Sequence, residues 1–117
     1  MNKHEQHDYT EEPDHSIIEH PYQYQIVEMV YHVDLKDRLN SYIDLTLVKD
    51  STIRHLRFWG PQNLQIEEGF PRPTHGMKIL DIRKRQWENL GVAVLDFEAS
   101  HGAITFWAKD VIDLDAS

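Results

Sequence analysis

The 117 residues include eight histidines and twenty carboxylates, and these groups have the widest scope for chemistry. His4, His7, His15 and His20 stand among Glu5, Asp8, Glu11, Glu12, Asp14 and Glu19. Imidazole mixed with carboxylate is a donor set that suits zinc or nickel. None of these histidines has H-E-x-x-H spacing, and a stretch with no preorganised geometry does not hold a metal tightly, so no metal site is expected. His75 and His101 each adjoin a glycine in expected loops. Paired with Asp81 or Asp96, either would be placed as a general base. A nucleophile is missing, because there is no nucleophile elbow and Ser41, Ser51 and Ser100 all fall in turn contexts. No catalytic residue is therefore assigned.

Cysteine is absent, which removes disulfides, thiol catalysis, thiolate zinc sites and iron–sulfur clusters. There is no G-x-G-x-x-G, P-loop or EF-hand loop, and Asp110, Asp113 and Asp115 lack calcium-loop spacing. No cofactor is expected. The one basic cluster, Arg83-Lys84-Arg85, sits in a chain of net charge −8, which argues against a nucleic-acid partner. The charge is concentrated at the ends. Residues 1–20 set one lysine against six carboxylates, the last eight residues hold three aspartates and no base, and the body between them is neutral. No apolar run approaches the roughly 20 residues of a membrane helix, and the first residues lack a signal-type apolar stretch. A cytoplasmic protein without a membrane partner is expected.

The indoles are the other informative side chains. Trp107 is opposite in phase to Ile104 and Phe106, and Trp59 is opposite to Leu56 and Phe58 at a strand end beside Gly60-Pro61. Phe70-Pro71-Arg72-Pro73 adds an aromatic and an arginine on a stiffened loop. Tryptophan and arginine are enriched at interface hot spots, so Trp59, Phe70, Arg72, Trp87 and Trp107 form the candidate partner-binding set. The competing expectation is that a second sheet or the 83–90 segment covers these rings as ordinary core.

The elements that must position these groups are strands. From Tyr22 onward the apolar period is two. Tyr22, Tyr24 and Ile26 share one phase and Val27, Met29, Tyr31, Val33 and Leu35 the other, which predicts a β-bulge near Ile26 and Val27. Further strands are expected at 42–48, 52–59, 64–67, 77–82, 92–98, 103–108 and, at an edge, 111–114. Asp81 is placed to start one short helical turn. The spacing gives an all-β, mainly antiparallel fold of about seven strands, in a sandwich or partly open barrel, with at most one short helix. The expected core is Ile43, Leu45, Leu47, Leu56, Phe58, Ile79, Val94, Phe97, Ile104 and Phe106. Residues 1–20, broken by Pro13 and poor in aliphatics, read as a flexible acidic histidine-containing arm, and residues 21–117 as a single β domain.

The runs IRHLRFWGPQNLQI (53–66), GMKILDI (76–82) and VAVLDFEASHGAITFWAKDV (92–111) resemble small uncharacterised bacterial all-β domains, some of them similar to toxin-immunity-type proteins. The resemblance covers the strand pattern from Tyr22 to Leu114 and brings no catalytic residues with it. It implies a non-catalytic cytoplasmic binding module that acts by protein–protein contact. An immunity role would set an acidic protein against a basic toxin, where charge complementarity speeds encounter. Two alternatives belong to other classes. A small-ligand-binding domain would need a pocket between sheets, lined by Tyr22, Tyr24, Trp59 and Trp87. An enzyme would gather His75, His101 and Asp81 around one cavity.

Overall fold

Alternation of apolar and polar residues is strongest in two adjoining runs, and these make the centre of the first sheet. In the computed structural model, which describes residues 12–70, 76–96 and 102–115, they form β2 (Tyr42–Lys49) and β3 (Thr52–Trp59). The connection is Asp50-Ser51, with Asp50 in the left-handed region at φ 54. A tight hairpin needs that conformation, and aspartate tolerates it. Counting outward from this turn sets the register: Lys49 opposite Thr52, Leu45 opposite Leu56, Tyr42 opposite Trp59.

β1 (Gln25–His32) pairs with β2, and its register slips between Ile26 and Glu28. The mid-strand change of phase is thus absorbed by one extra residue, Val27. β8 (Asp110–Asp113) pairs with β3 and closes the sheet in the order β1-β2-β3-β8. The second sheet has the order β4-β7-β6-β5, from β4 (Gln62–Ile66), β5 (Met77–Asp81), β6 (Val92–Asp96) and β7 (Ile104–Ala108). Every strand pairing is antiparallel. The fold is therefore an all-β sandwich with eight strands among the described residues, the expected seven together with the edge strand read at 111–114, which forms as β8. Helix is limited there to three-residue 3-10 turns, one of them Arg83–Arg85, whose entry Asp81 Oδ1 supports by accepting from the Arg83 N–H.

Burial of one face from each sheet supplies the stability. Ile43, Leu45, Leu47, Leu56, Phe58, Ile79, Val94, Ile104 and Phe106 are all buried between the sheets, as their phase predicts. Phe97, also expected there, lies outside the described residues. Phe58 meets Phe106 edge-on across the sandwich, with ring centroids 5.0 Å apart.

The expected arm boundary at residue 20 shifts. Residues 13–15 run antiparallel along β5, where the His15 N–H donates to the Ile79 carbonyl and the Asp81 N–H to the Pro13 carbonyl. Ile18 is buried in the main core. The physical reason is twofold. An edge strand leaves backbone groups that a passing chain can satisfy, and one aliphatic side chain of this size gains about 1.5–3 kcal/mol on burial. Residues 1–11 lie outside the described residues.

Candidate functional site

On the β1-β2-β3-β8 sheet, the residues opposite in phase to the core project from the sandwich. Register arranges them in rungs. His32, Tyr42, Trp59 and Asp110 form the first; Val30, Asp44, Arg57 and Ile112 form the second. Within this face the Arg57 guanidinium lies over the Tyr42 ring, 3.7 Å from its centroid, and 5.3 Å from that of Trp59. Tyr42 and Trp59 meet edge-on at 5.3 Å, and His32 stacks on the far side of the row, 4.8 Å from Tyr42.

Asp44 fixes the arginine. Arg57 Nε and Nη2 donate to its two carboxylate oxygens at 2.8 and 2.9 Å. That bond raises the Arg57 pKa above its ordinary value, so the guanidinium stays charged. Both side chains are 24% exposed, so the assembly is in place before any ligand arrives. Around it, Val30, Ile53, Ile112 and Leu114 present apolar surface to solvent. At the Trp59 end a shallow depression of about 230 Å³ is lined by Leu39, Asn40, Trp59, Lys109 and Asp110. Next to Trp59 the chain is tightly packed: Gly60 has φ 62, and a Cβ there would lie 3.2 Å from Leu39 Cδ2.

The arrangement offers a flat aromatic platform on which the Arg57 charge is balanced by Asp44. It can stack, donate hydrogen bonds and bury apolar area, and its two rungs contain no serine, threonine or cysteine.

The five candidate partner-binding residues do not form one surface. Trp59 belongs to the platform just described. Trp87 and Trp107 lie on the outside of the other sheet, with centroids 5.7 Å apart, packed with Leu80, Ile82 and Ala93 into a small second core. The 83–90 segment thus covers the outward face of β7, as the competing expectation had it. Phe70 is half-buried and packs on the main core. Arg72 lies outside the described residues, as do His75 and His101, so the trio His75, His101 and Asp81 is not described together. Asp81 itself is engaged by Arg83, whose Nε and Nη2 donate to its two oxygens at 2.9 and 2.5 Å. Of the four residues named for an inter-sheet pocket, only Tyr24 is buried in the core; Tyr22 is exposed, and Trp59 and Trp87 face outward from different sheets.

Sequence reasoning missed Tyr42, Asp44, Arg57 and His32. A signal was available: the Asp50-Ser51 turn, counted outward, already places Tyr42 beside Trp59 and Asp44 beside Arg57. Among the described residues, no three histidine or acidic side chains converge as a metal set.

The docked N-terminal segment makes one testable electrostatic feature. His15 Nδ1 accepts the Ile17 N–H at 3.0 Å, a bond that only the neutral imidazole can make through that nitrogen. Burial lowers the His15 pKa below its ordinary 6.5; Asp81 and Asp110 oppose that shift and Arg83 assists it. The folded protein therefore binds this proton less readily than the unfolded chain, so the associated stability is present above pH 6.5 and declines as pH falls below it. Arg83 bonding holds Asp81 at about 2, so its contribution is lost only in strong acid, as pH falls below the ordinary 3.8 toward 2. We expect His15→Ala to flatten the decline in urea-unfolding stability between pH 7 and 5. An unchanged slope would mean that the segment leaves the sheet in solution.

No family model, curated protein or solved structure matches this chain.

Proposed function

We propose that this protein is a non-catalytic binding module that docks a basic protein surface on the outer face of the β1-β2-β3-β8 sheet. The observation that carries the reading is Arg57, held by Asp44 and laid against Tyr42 and Trp59 within a partly apolar, solvent-facing sheet. Arg, Tyr and Trp are the residues that dominate binding energy in interfaces, and their ordering cost has here been met before binding. The net charge of −8 favours a basic partner by speeding encounter. An immunity role, in which such a protein caps a basic toxin in the cytoplasm, fits this chemistry.

The test is affinity capture with four baits, the wild-type protein and three variants, at low and moderate salt. A partner held by the wild-type protein is expected to be held by Lys84→Ala, which alters the 3-10 turn after β5. It is expected to lose affinity by about 30-fold or more with Arg57→Ala or Trp59→Ala, the effect of removing one hot-spot side chain. Equal capture by all baits would place the binding surface elsewhere and end this reading.

A further inference from the structure

The first strand is an edge, and it is unlike a protected one. β1 terminates the order β1-β2-β3-β8, so one row of its backbone donors and acceptors has no strand beside it among the described residues. Natural edges are blunted by charge, proline or bulges. The segment Gln25–His32 contains one carboxylate, no lysine, arginine or proline, and a single bulge near its start that leaves residues 28–32 regular. Its flanks are apolar and exposed: Val27 is 56% exposed, Val30 45%, Tyr31 42% and Val33 57%.

We propose that this edge pairs antiparallel with the same edge of a second copy, about a twofold axis through Val30, joining the two sheets into a continuous eight-stranded one. The occupant follows from the self-complementarity of the strand. With the axis on Val30, the two Val30 side chains meet, and Glu28 of each copy faces His32 of the other on the outer face. Met29 faces Tyr31 on the inner side, and the exposed Val27 and Val33 flank the paired stretch 28–32. Opposed aromatic, aliphatic and hydrogen-bonding pairs are the unit of sheet stabilisation.

A twofold perpendicular to the sheet keeps each face on its own side, so the axis must pass through a residue, and the neighbouring choices are worse. An axis on Tyr31 sets Glu28 against Asp34, two like charges. An axis on Met29 sets Glu28 against Val30, a carboxylate opposite an apolar side chain. Of the three, only the Val30 register sets Glu28 against His32 and keeps the pairing within the regular stretch 28–32. The contact is short, smaller than standard protein–protein interfaces, so the dimer belongs to the micromolar range. It also places two Arg57 platforms on one extended face.

The experiment is sedimentation equilibrium of the full chain across the micromolar range, with circular dichroism to confirm folding of each variant. The expected mass rises toward twice 13.9 kDa with concentration. Val30→Lys, on an exposed position that folding tolerates, puts two ammonium groups on the axis and is expected to raise the dissociation constant about tenfold or more. Glu28→Lys removes the carboxylate that accepts from the imidazole and His32→Glu opposes two carboxylates, so each alone weakens association, whereas the double variant Glu28→Lys/His32→Glu sets opposite charges across the seam and recovers it. Arg57→Ala, two strands away, leaves the constant unchanged, so failure of the docking face and failure of the dimer are read separately. A chain that stays monomeric at the highest concentration, a dimer indifferent to Val30→Lys, or a double variant no better than the singles would each overturn the proposal.

Discussion

Phe58→Ala is expected to cost about 3–5 kcal/mol, the largest single effect available in this domain. Phe58 is fully buried on β3 and meets Phe106 of the opposite sheet at 5.0 Å. Truncation removes apolar area and an edge-to-face ring contact, and it leaves a void that two hydrogen-bonded sheets close only partly. A domain of this length has a total stability of roughly 5–15 kcal/mol, so the loss is a large share of it. Urea unfolding followed by circular dichroism is expected to show a midpoint lowered in proportion. Phe58→Leu, which keeps most of the volume, is expected to lose less than half as much. Equal losses for both would mean that ring geometry, rather than cavity volume, sets the cost.

Arg85→Ala is expected to release the N-terminal segment, at a cost of about 3 kcal/mol. Arg85 Nε donates to Glu12 Oε2 at 2.6 Å, and the two side chains are 18% and 5% exposed. Glu12 Oε1 is buried without a hydrogen-bond partner, so the carboxylate depends heavily on this one cation. Removing the guanidinium strands a buried charge, and breaking a buried pair costs more than the intact pair contributes. The structure has a cheaper route than global unfolding. Residues 12–18 can leave β5, giving up two backbone bonds, the Arg54 bond to the Ile17 carbonyl, the exposed Lys78–Asp14 pair and the burial of Ile18. The sandwich therefore survives, and hydrogen exchange speeds up at the His15 and Asp81 amides, whose acceptors are lost. The double replacement Glu12→Leu/Arg85→Met, apolar on both sides, is expected to recover most of the stability. Unaltered exchange at Asp81 in Arg85→Ala would show that the segment is held by other contacts.

These two expectations differ in how far the sequence foreshadows them. Phe58 follows from alternation alone: a strand with one covered face sorts its side chains by parity, and Leu56 and Phe58 share the parity of the core. The bulge at Val27 is legible for the same reason, because a change of parity inside one strand demands an extra residue. The outward position of Trp59 follows too.

The Glu12–Arg85 pair is a different matter. Its partners are 73 positions apart in the chain, and no local pattern in an acidic stretch announces that its backbone will satisfy an open sheet edge. Composition marked residues 1–20 as solvated, and a count of charges carries no information about which neighbour neutralises them. Trp87 and Trp107 show the same divide. Parity sends Trp107 outward, yet whether outward means solvent depends on the route of the 83–90 segment across the sheet.

By itself, then, the amino-acid order determined which residues face inward, where the first strand breaks phase, and which chemistries are excluded for want of the necessary atoms. Those properties are short-range and depend on the two-residue repeat of extended backbone. Only the tertiary structure decided that Tyr42, Asp44, Arg57 and Trp59 share one platform, that the other two indoles are packed on the opposite sheet, and that residues 13–15 lie along β5. Such neighbours are brought together by register and by the stacking of sheets, both of which are settled by interactions summed over the whole core.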